Sequence, residues 1–281
     1  MQRPVSGRAV GALLVAAHGM LAVGVAAVFV KGSRFSSARE WLFATMLGVS
    51  ISQAALIGLW SGFANAPIRR RIGTAASGGL LLCTLFVVAL QMARSGEITL
   101  AWIMAVVFTM VPLAAIGMFA AVLKWRGYSI ERFDRDDQGL DRRVQFSLAH
   151  LFAITLVAAI LFALVRGVRG MPPGENPFAP IRIALIATFN ALVFVLHTQV
   201  CFWAALGDGR PIVRLGAVLA SATIAAGIYG FAVGDRGADY KISLGMMAIY
   251  SLLTCGSLWK LGRLGFRLSR AVQPATPLDD S

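Results

Sequence analysis

Carboxylates are scarce in this chain: 13 of its 281 residues are Asp or Glu, and none lies inside a long apolar stretch. That excludes the paired intramembrane carboxylates that acid–base or proton-coupled chemistry would use. There is no HExxH pair and no Walker loop. The nearest approach to a serine-nucleophile elbow, Gly58-Leu59-Trp60-Ser61-Gly62, has the wrong spacing, so no catalytic constellation is found. Cysteine is equally sparse. Cys83, Cys201 and Cys255 fall in three different apolar runs without CxxC spacing, which excludes a disulfide framework and a zinc site and leaves no metal-ligand set.

What the chain has in quantity is apolar surface. Hydrophobic residues make up 58% and charged residues 14%, with a mean hydropathy of +0.74, too apolar for one soluble domain with a polar skin. A helix of about twenty uncharged apolar residues spans the hydrocarbon core, because lipid offers no partner for backbone N–H and C=O groups. Eight such runs are read: Ala9 to Val30, Trp41 to Ala64, Ala75 to Ala93, Ile98 to Leu123, Ser147 to Val165, Ile183 to Leu206, Leu215 to Val233 and Ile242 to Trp259. None contains Asp, Glu, Lys or Arg. The expectation is an all-α integral membrane protein.

The net charge of +13 comes from basic residues in short loops, with no contiguous module of interleaved aromatics, so no nucleic-acid partner is expected. The charge reads instead as orientation. With the N-terminus inside, 17 Lys and Arg fall on the cytoplasmic side and 9 on the other, which predicts a plasma (inner) membrane protein with both termini cytoplasmic. Trp41, Trp60, Trp102, Trp125, Trp203 and Trp259 fall near span ends, where an amphipathic ring prefers the headgroup layer. The first run also fits a signal peptide with Arg3 and Arg8 as its basic region, although it is long for a removable segment.

The most charged stretch, residues 124–146, divides the spans four and four. The halves repeat. Ala17-His18 and Val25-Ala26-Ala27 match Ala149-His150 and Val157-Ala158-Ala159 at one offset, while Arg39, Leu42, Ala44, Thr45 and Trp60 match Arg182, Leu185, Ala187, Thr188 and Trp203. Pro67-Ile68 and Arg70 correspond to Pro211-Ile212 and Arg214. About eight transmembrane helices therefore form two tandem four-helix repeats, over 1–123 and 147–270, joined by a charged cytoplasmic linker over 124–146 and followed by a disordered tail over 271–281. An even number of helices per repeat predicts a pseudo-two-fold axis along the membrane normal. The largest asymmetry is the outer loop from Gly167 to Arg182, which holds four of the ten prolines.

Few polar residues lie within spans. His18 and His150 occupy equivalent places in the two repeats, and Asn190, His197 and Cys201 share one helix face through spacings of seven and four. These five form the candidate intramembrane polar path, with interhelical hydrogen bonding as the structural alternative. No cofactor is expected, haem b held by two histidines being the one alternative considered. Small residues Gly58 and Gly62, and Ala222, Ala226, Gly230 and Gly234, predict close helix contacts; Pro112 predicts a kink. In the linker, Asp134, Asp136, Gln138 and Gly139 imitate the start of a calcium loop, but the twelfth position is Gln145, so the stretch reads better as solvated mixed charge. Arg142 and Arg143 beside the bilayer suit a cytoplasmic protein or anionic lipid as partner.

The segment Phe146-Ser147-Leu148-Ala149-His150-Leu151 resembles a Phe-Ser-Leu-x-x-Leu helix start that recurs in uncharacterised bacterial multi-pass membrane proteins. The usual Arg is replaced by Ala149, and the resemblance, about a dozen residues long, implies a bacterial inner membrane and no activity. The sequence thus predicts a multi-pass protein that is a non-enzymatic membrane scaffold or sensor subunit. The alternative is a small-molecule transporter or permease with a path between the repeats.

Overall fold

The computed structural model describes residues 19–21, 23–28, 36–92, 98–132, 180–206, 210–233, 237–263 and 266–270. Among them are six helices long and apolar enough to cross a membrane. Helix α1 is Ser36–Phe63 and α2 is Ile68–Met92. Helix α3 runs through Ile98–Ala105, a π-helical turn Val106–Met110, and Val111–Trp125. Helices α4, α5 and α6 are Pro180–Leu206, Pro211–Val233 and Gly237–Arg263. These six correspond to the second, third, fourth, sixth, seventh and eighth expected spans. The fifth lies outside the described residues, as does most of the first, of which 19–21 and 23–28 are helical.

Helix α1 is the most enclosed, with 67% of its apolar window buried against 28% for α5. It packs on α2, α3 and α6, while α4 packs on α3, α5 and α6. The outer faces of α2, α5 and α6 carry exposed Leu81, Ile224 and Leu252, as a lipid-facing surface requires. All six tryptophans are exposed and lie near helix ends. The contact of α1 with α3 is set by glycine. A Cβ on Gly58 would lie 2.7 Å from the Leu113 carbonyl oxygen and 3.1 Å from the Gly117 nitrogen, so the backbones meet directly there. Gly62 repeats this one turn later, against Ala120.

Just before Pro112, where the sequence reading places a kink, the backbone makes a π turn. Val111 N–H donates to Val106 O, one residue further back than in an α-helix. Two further features differ from the sequence reading. Helix α2 begins at Ile68, seven residues before the apolar run, because Pro67 ends the preceding turn and Arg69, Arg70 and Arg71 remain helical outside the hydrocarbon. The chain is also not wholly helical: Tyr128–Arg132 (β1) and Phe266–Arg270 (β2) form an antiparallel pair centred on Ile130 opposite Leu268. The start of the charged linker is thus helix through Trp125, then strand. Gly127, at φ 84°, makes the turn between them, its N–H donating to Lys124 O at 3.0 Å.

Basic side chains close the C-terminal end of α1, where carbonyls lack helical partners. Lys124 Nζ donates to Phe63 O at 3.2 Å, Ala64 O at 2.9 Å and Asn65 Oδ1 at 2.8 Å. The Arg71 guanidinium donates to Ser61 O and, at 2.9 Å, to Gly62 O. Both cations sit at the negative end of the helix dipole. Through these bonds, the short connections after α1 and α4, the approach of Gly262 to Ala205 O and the strand pair, the ends of α1, α3, α4 and α6 and the starts of α2 and α5 gather at one end of the bundle. We call it the strand end.

Gly58→Ala is expected to lower stability by roughly 1–3 kcal/mol, since neither backbone neighbour can yield cheaply. Gly216→Ala, where nothing lies within 4 Å, serves as the control and is expected at or above wild type. Unfolding of both variants in mixed detergent micelles checks this.

Candidate functional site

The polar residues of α4 are buried and bonded to the two helices beside it. Asn190 is 0% exposed, His197 2% and Cys201 0%. His197 sits between α5 and α6: its Nδ1 is 3.0 Å from Ser221 Oγ and its Nε2 2.7 Å from Ser251 Oγ. Cys201 Sγ lies 3.5 Å from the same Nε2, one helical turn along, and faces Cys255 of α6.

Proton counting limits these bonds to two sets, one for each tautomer of His197. A neutral imidazole has one N–H and one lone pair, and each serine hydroxyl has one proton. Ser251 Oγ spends its proton on Met247 O at 2.6 Å, so it accepts from His197 Nε2–H. Ser221 Oγ lies 3.0 Å from both Val218 O and Nδ1, so with Nε2 protonated its hydroxyl turns from the carbonyl to donate to Nδ1. The shorter Ser251–Met247 contact assigns the proton to Nε2, and in either tautomer the ring bridges three helices.

Two more bonds extend the cluster. Tyr229 O–H of α5 donates to Asn190 Oδ1. Thr198 Oγ1 donates to Phe194 O at 2.5 Å and so accepts from Tyr250 O–H of α6. Phe194 fills the space between the two tyrosines, with ring centroids 6.5 Å from Tyr229 and 5.4 Å from Tyr250. Phe108, in the π turn of α3, reaches the same group at 6.4 Å from Tyr229. On the other side Ser52 of α1 meets Thr254 of α6 at 3.1 Å, both buried.

Of the five residues read as a polar path, the structure brings His197 and Cys201 into contact and places Asn190 two turns away on its own tyrosine. His18 and His150 lie outside the described residues, and with them the haem alternative and the Phe146 to Leu151 segment. Sequence reasoning missed Ser221, Ser251, Tyr229, Tyr250 and Thr254. The i, i+4 pair Ser251 and Cys255 on the last span was the available signal, since a polar stripe facing another polar stripe is the expected partner in lipid. Among the described residues no three His, Cys, Asp or Glu side chains converge to hold a metal ion.

Fold and cluster together define a multi-pass helical membrane protein whose buried polar groups meet at a three-helix junction. Comparison of the chain with protein-family models, with curated proteins and with solved structures finds no match.

The His197–Ser251 coupling is expected to be about 0.6 kcal/mol, and below roughly 1.7 kcal/mol, as for other hydrogen bonds between membrane helices. A double-mutant cycle with His197→Ala and Ser251→Ala measures it. Nitrogen NMR of histidine-labelled protein is expected to report the Nε2–H tautomer; an Nδ1–H signal for His197 would reverse the assignment.

Proposed function

We propose that the protein is a non-enzymatic membrane scaffold or sensor subunit, whose helical bundle is an anchor for surfaces outside the bilayer. The observation that carries this reading is His197. Both its ring nitrogens are engaged by serines of neighbouring helices, and Asn190 Oδ1, Thr198 and Ser52 are likewise engaged by partners on other helices. Polar atoms used to join helices are not on offer to a passing solute, and among the described residues of the spans Asn190 Nδ2 and Thr109 Oγ1 are buried atoms left without a hydrogen-bond partner. On this reading the partners bind at residues 124–146, as a cytoplasmic protein or anionic lipid, and the orientation is that of the charge bias, with both termini cytoplasmic in a plasma (inner) membrane.

The eight-helix, four-plus-four architecture belongs to the same proposal and draws support from the packing. Each neighbour of α1 has a counterpart about α4: α2 answers to α5, α3 to α6, and α6 to α3. The strand pair is itself symmetric. Gly127, Tyr128, Ile130 and Arg132 match Gly265, Phe266, Leu268 and Arg270 at one offset, and the register is centred on Ile130 and Leu268.

A second reading, transport of a small molecule between the halves, has one observation in its favour. The π turn of α3 lies against α4, where the helical ladder is already interrupted beside Pro112. Cysteine accessibility separates the readings. In intact vesicles, and in a background lacking Cys83, Cys201 and Cys255, single cysteines at Asn190 and His197, with His18 and His150 tested beside them, are expected to resist a membrane-impermeant thiol reagent. Labelling at several of these depths would mean an aqueous path and would replace the scaffold reading with transport.

A further inference from the structure

The strand end is one-sided in charge. Its described residues include twelve Lys or Arg and one acidic residue, Glu131, whereas the described residues of the opposite end hold Arg39, Arg182 and Lys241 against Glu40 and Asp239. The twelve are not equivalent. Lys124 and Arg71 turn inward and are consumed by the carbonyls that end α1. Arg69, Arg70, Arg126 and Arg210 are exposed, and among the described residues no carboxylate pairs with them.

Their depth matters as much as their charge. Arg70 precedes the apolar run of α2 by five residues, about 7 Å at 1.5 Å per residue. The headgroup layer is roughly 5–7 Å thick on each side of the hydrocarbon, so with Ala75 at the hydrocarbon edge the Arg70 backbone falls within reach of the lipid phosphates. Arg210 has the same five-residue spacing from Leu215, and Arg126 stands three residues past Leu123. Exposed apolar side chains flank each of them: Ile68 at 66%, Trp125 at 84% and Ile212 at 84%. Cations beside apolar groups at this depth fit a molecule with an anionic head and a hydrocarbon tail better than a soluble acidic protein, which would leave the apolar groups uncovered.

We propose that the strand end binds anionic phospholipid headgroups through Arg69, Arg70, Arg126 and Arg210. The binding surface is separate from the 124–146 partner site, apart from Arg126, and stands whether the bundle anchors or transports. Lipid phosphates supply the counter-charge that the described side chains lack, and the flanking Ile and Trp contact the upper acyl chain. Zwitterionic lipid occupies the same positions without enrichment.

Tryptophan quenching tests this, because Trp60, Trp125, Trp203 and Trp259 lie at this end. The full chain is reconstituted in phosphatidylcholine vesicles containing a small fraction of brominated phosphatidylglycerol or, in parallel, brominated phosphatidylcholine. The anionic lipid is expected to quench more, with an excess that weakens as salt rises. Replacing all four arginines by Gln is expected to reduce that enrichment by a factor of roughly two to five per arginine. Unchanged quenching by brominated phosphatidylcholine shows that the variant is still inserted and folded. Equal quenching by the two lipids in wild type, or an undiminished excess in the variant, overturns the proposal. So does an excess that emerges only when Asp134, Asp136, Asp137 and Asp141 are changed to Asn, which would make the linker itself the counter-charge.

Discussion

A polar group inside a bilayer has no water to fall back on, and that constraint decides where most of the polar side chains of the spans are spent. Hydroxyls on the spans return to their own helix where they can: Thr45, Thr84, Thr188 and Thr223 each donate to the carbonyl four residues back. Side chains too long or too polar for that reach across, as His197 and Asn190 do. At the membrane edge the same rule draws Lys124 and Arg71 onto the end of α1. Basic residues that a topology count treats alike are thereby divided into structural caps and free surface charges.

Two groups of helices meet this constraint with different means. In the first, α1 and α3 approach through Gly58 and Gly62, so packing of backbone on backbone holds the pair. In the second, α4, α5 and α6 are joined by His197, Asn190, Thr198 and the hydroxyls around them. Both are established ways to associate helices where apolar burial gives no net drive. The serine–histidine–serine bridge has the further property of fixing rotation, because turning α4 by one residue, about 100°, would remove both partners at once.

Span limits were legible because lipid demands long uncharged runs, and α4 and α5 end at the predicted residues. The shared face of Asn190, His197 and Cys201 was legible because it depends only on helical period. Its partners were not, since which faces of α5 and α6 turn toward α4 is decided by packing and by no local pattern. The strands were missed for a different reason. Tyr128 and Ile130 are two apolar positions among charges, too short an alternation to stand out. The signal was in the pairing of two short stretches: a glycine, then an aromatic, an aliphatic and an arginine at alternate positions, once from Gly127 and once from Gly265.

The strand pair joins a segment near the middle of the chain to one near its end. Until β2 has been made, the backbone groups that β1 turns toward it lack the partner they have in the finished sheet. The interval is the 134 residues from Arg132 to Phe266, on the order of ten seconds of synthesis at typical rates. During that interval the segment Tyr128–Arg132 cannot make the pairing it has in the finished structure. Closure of the sheet is therefore a completion step, available only once Phe266–Arg270 has been made.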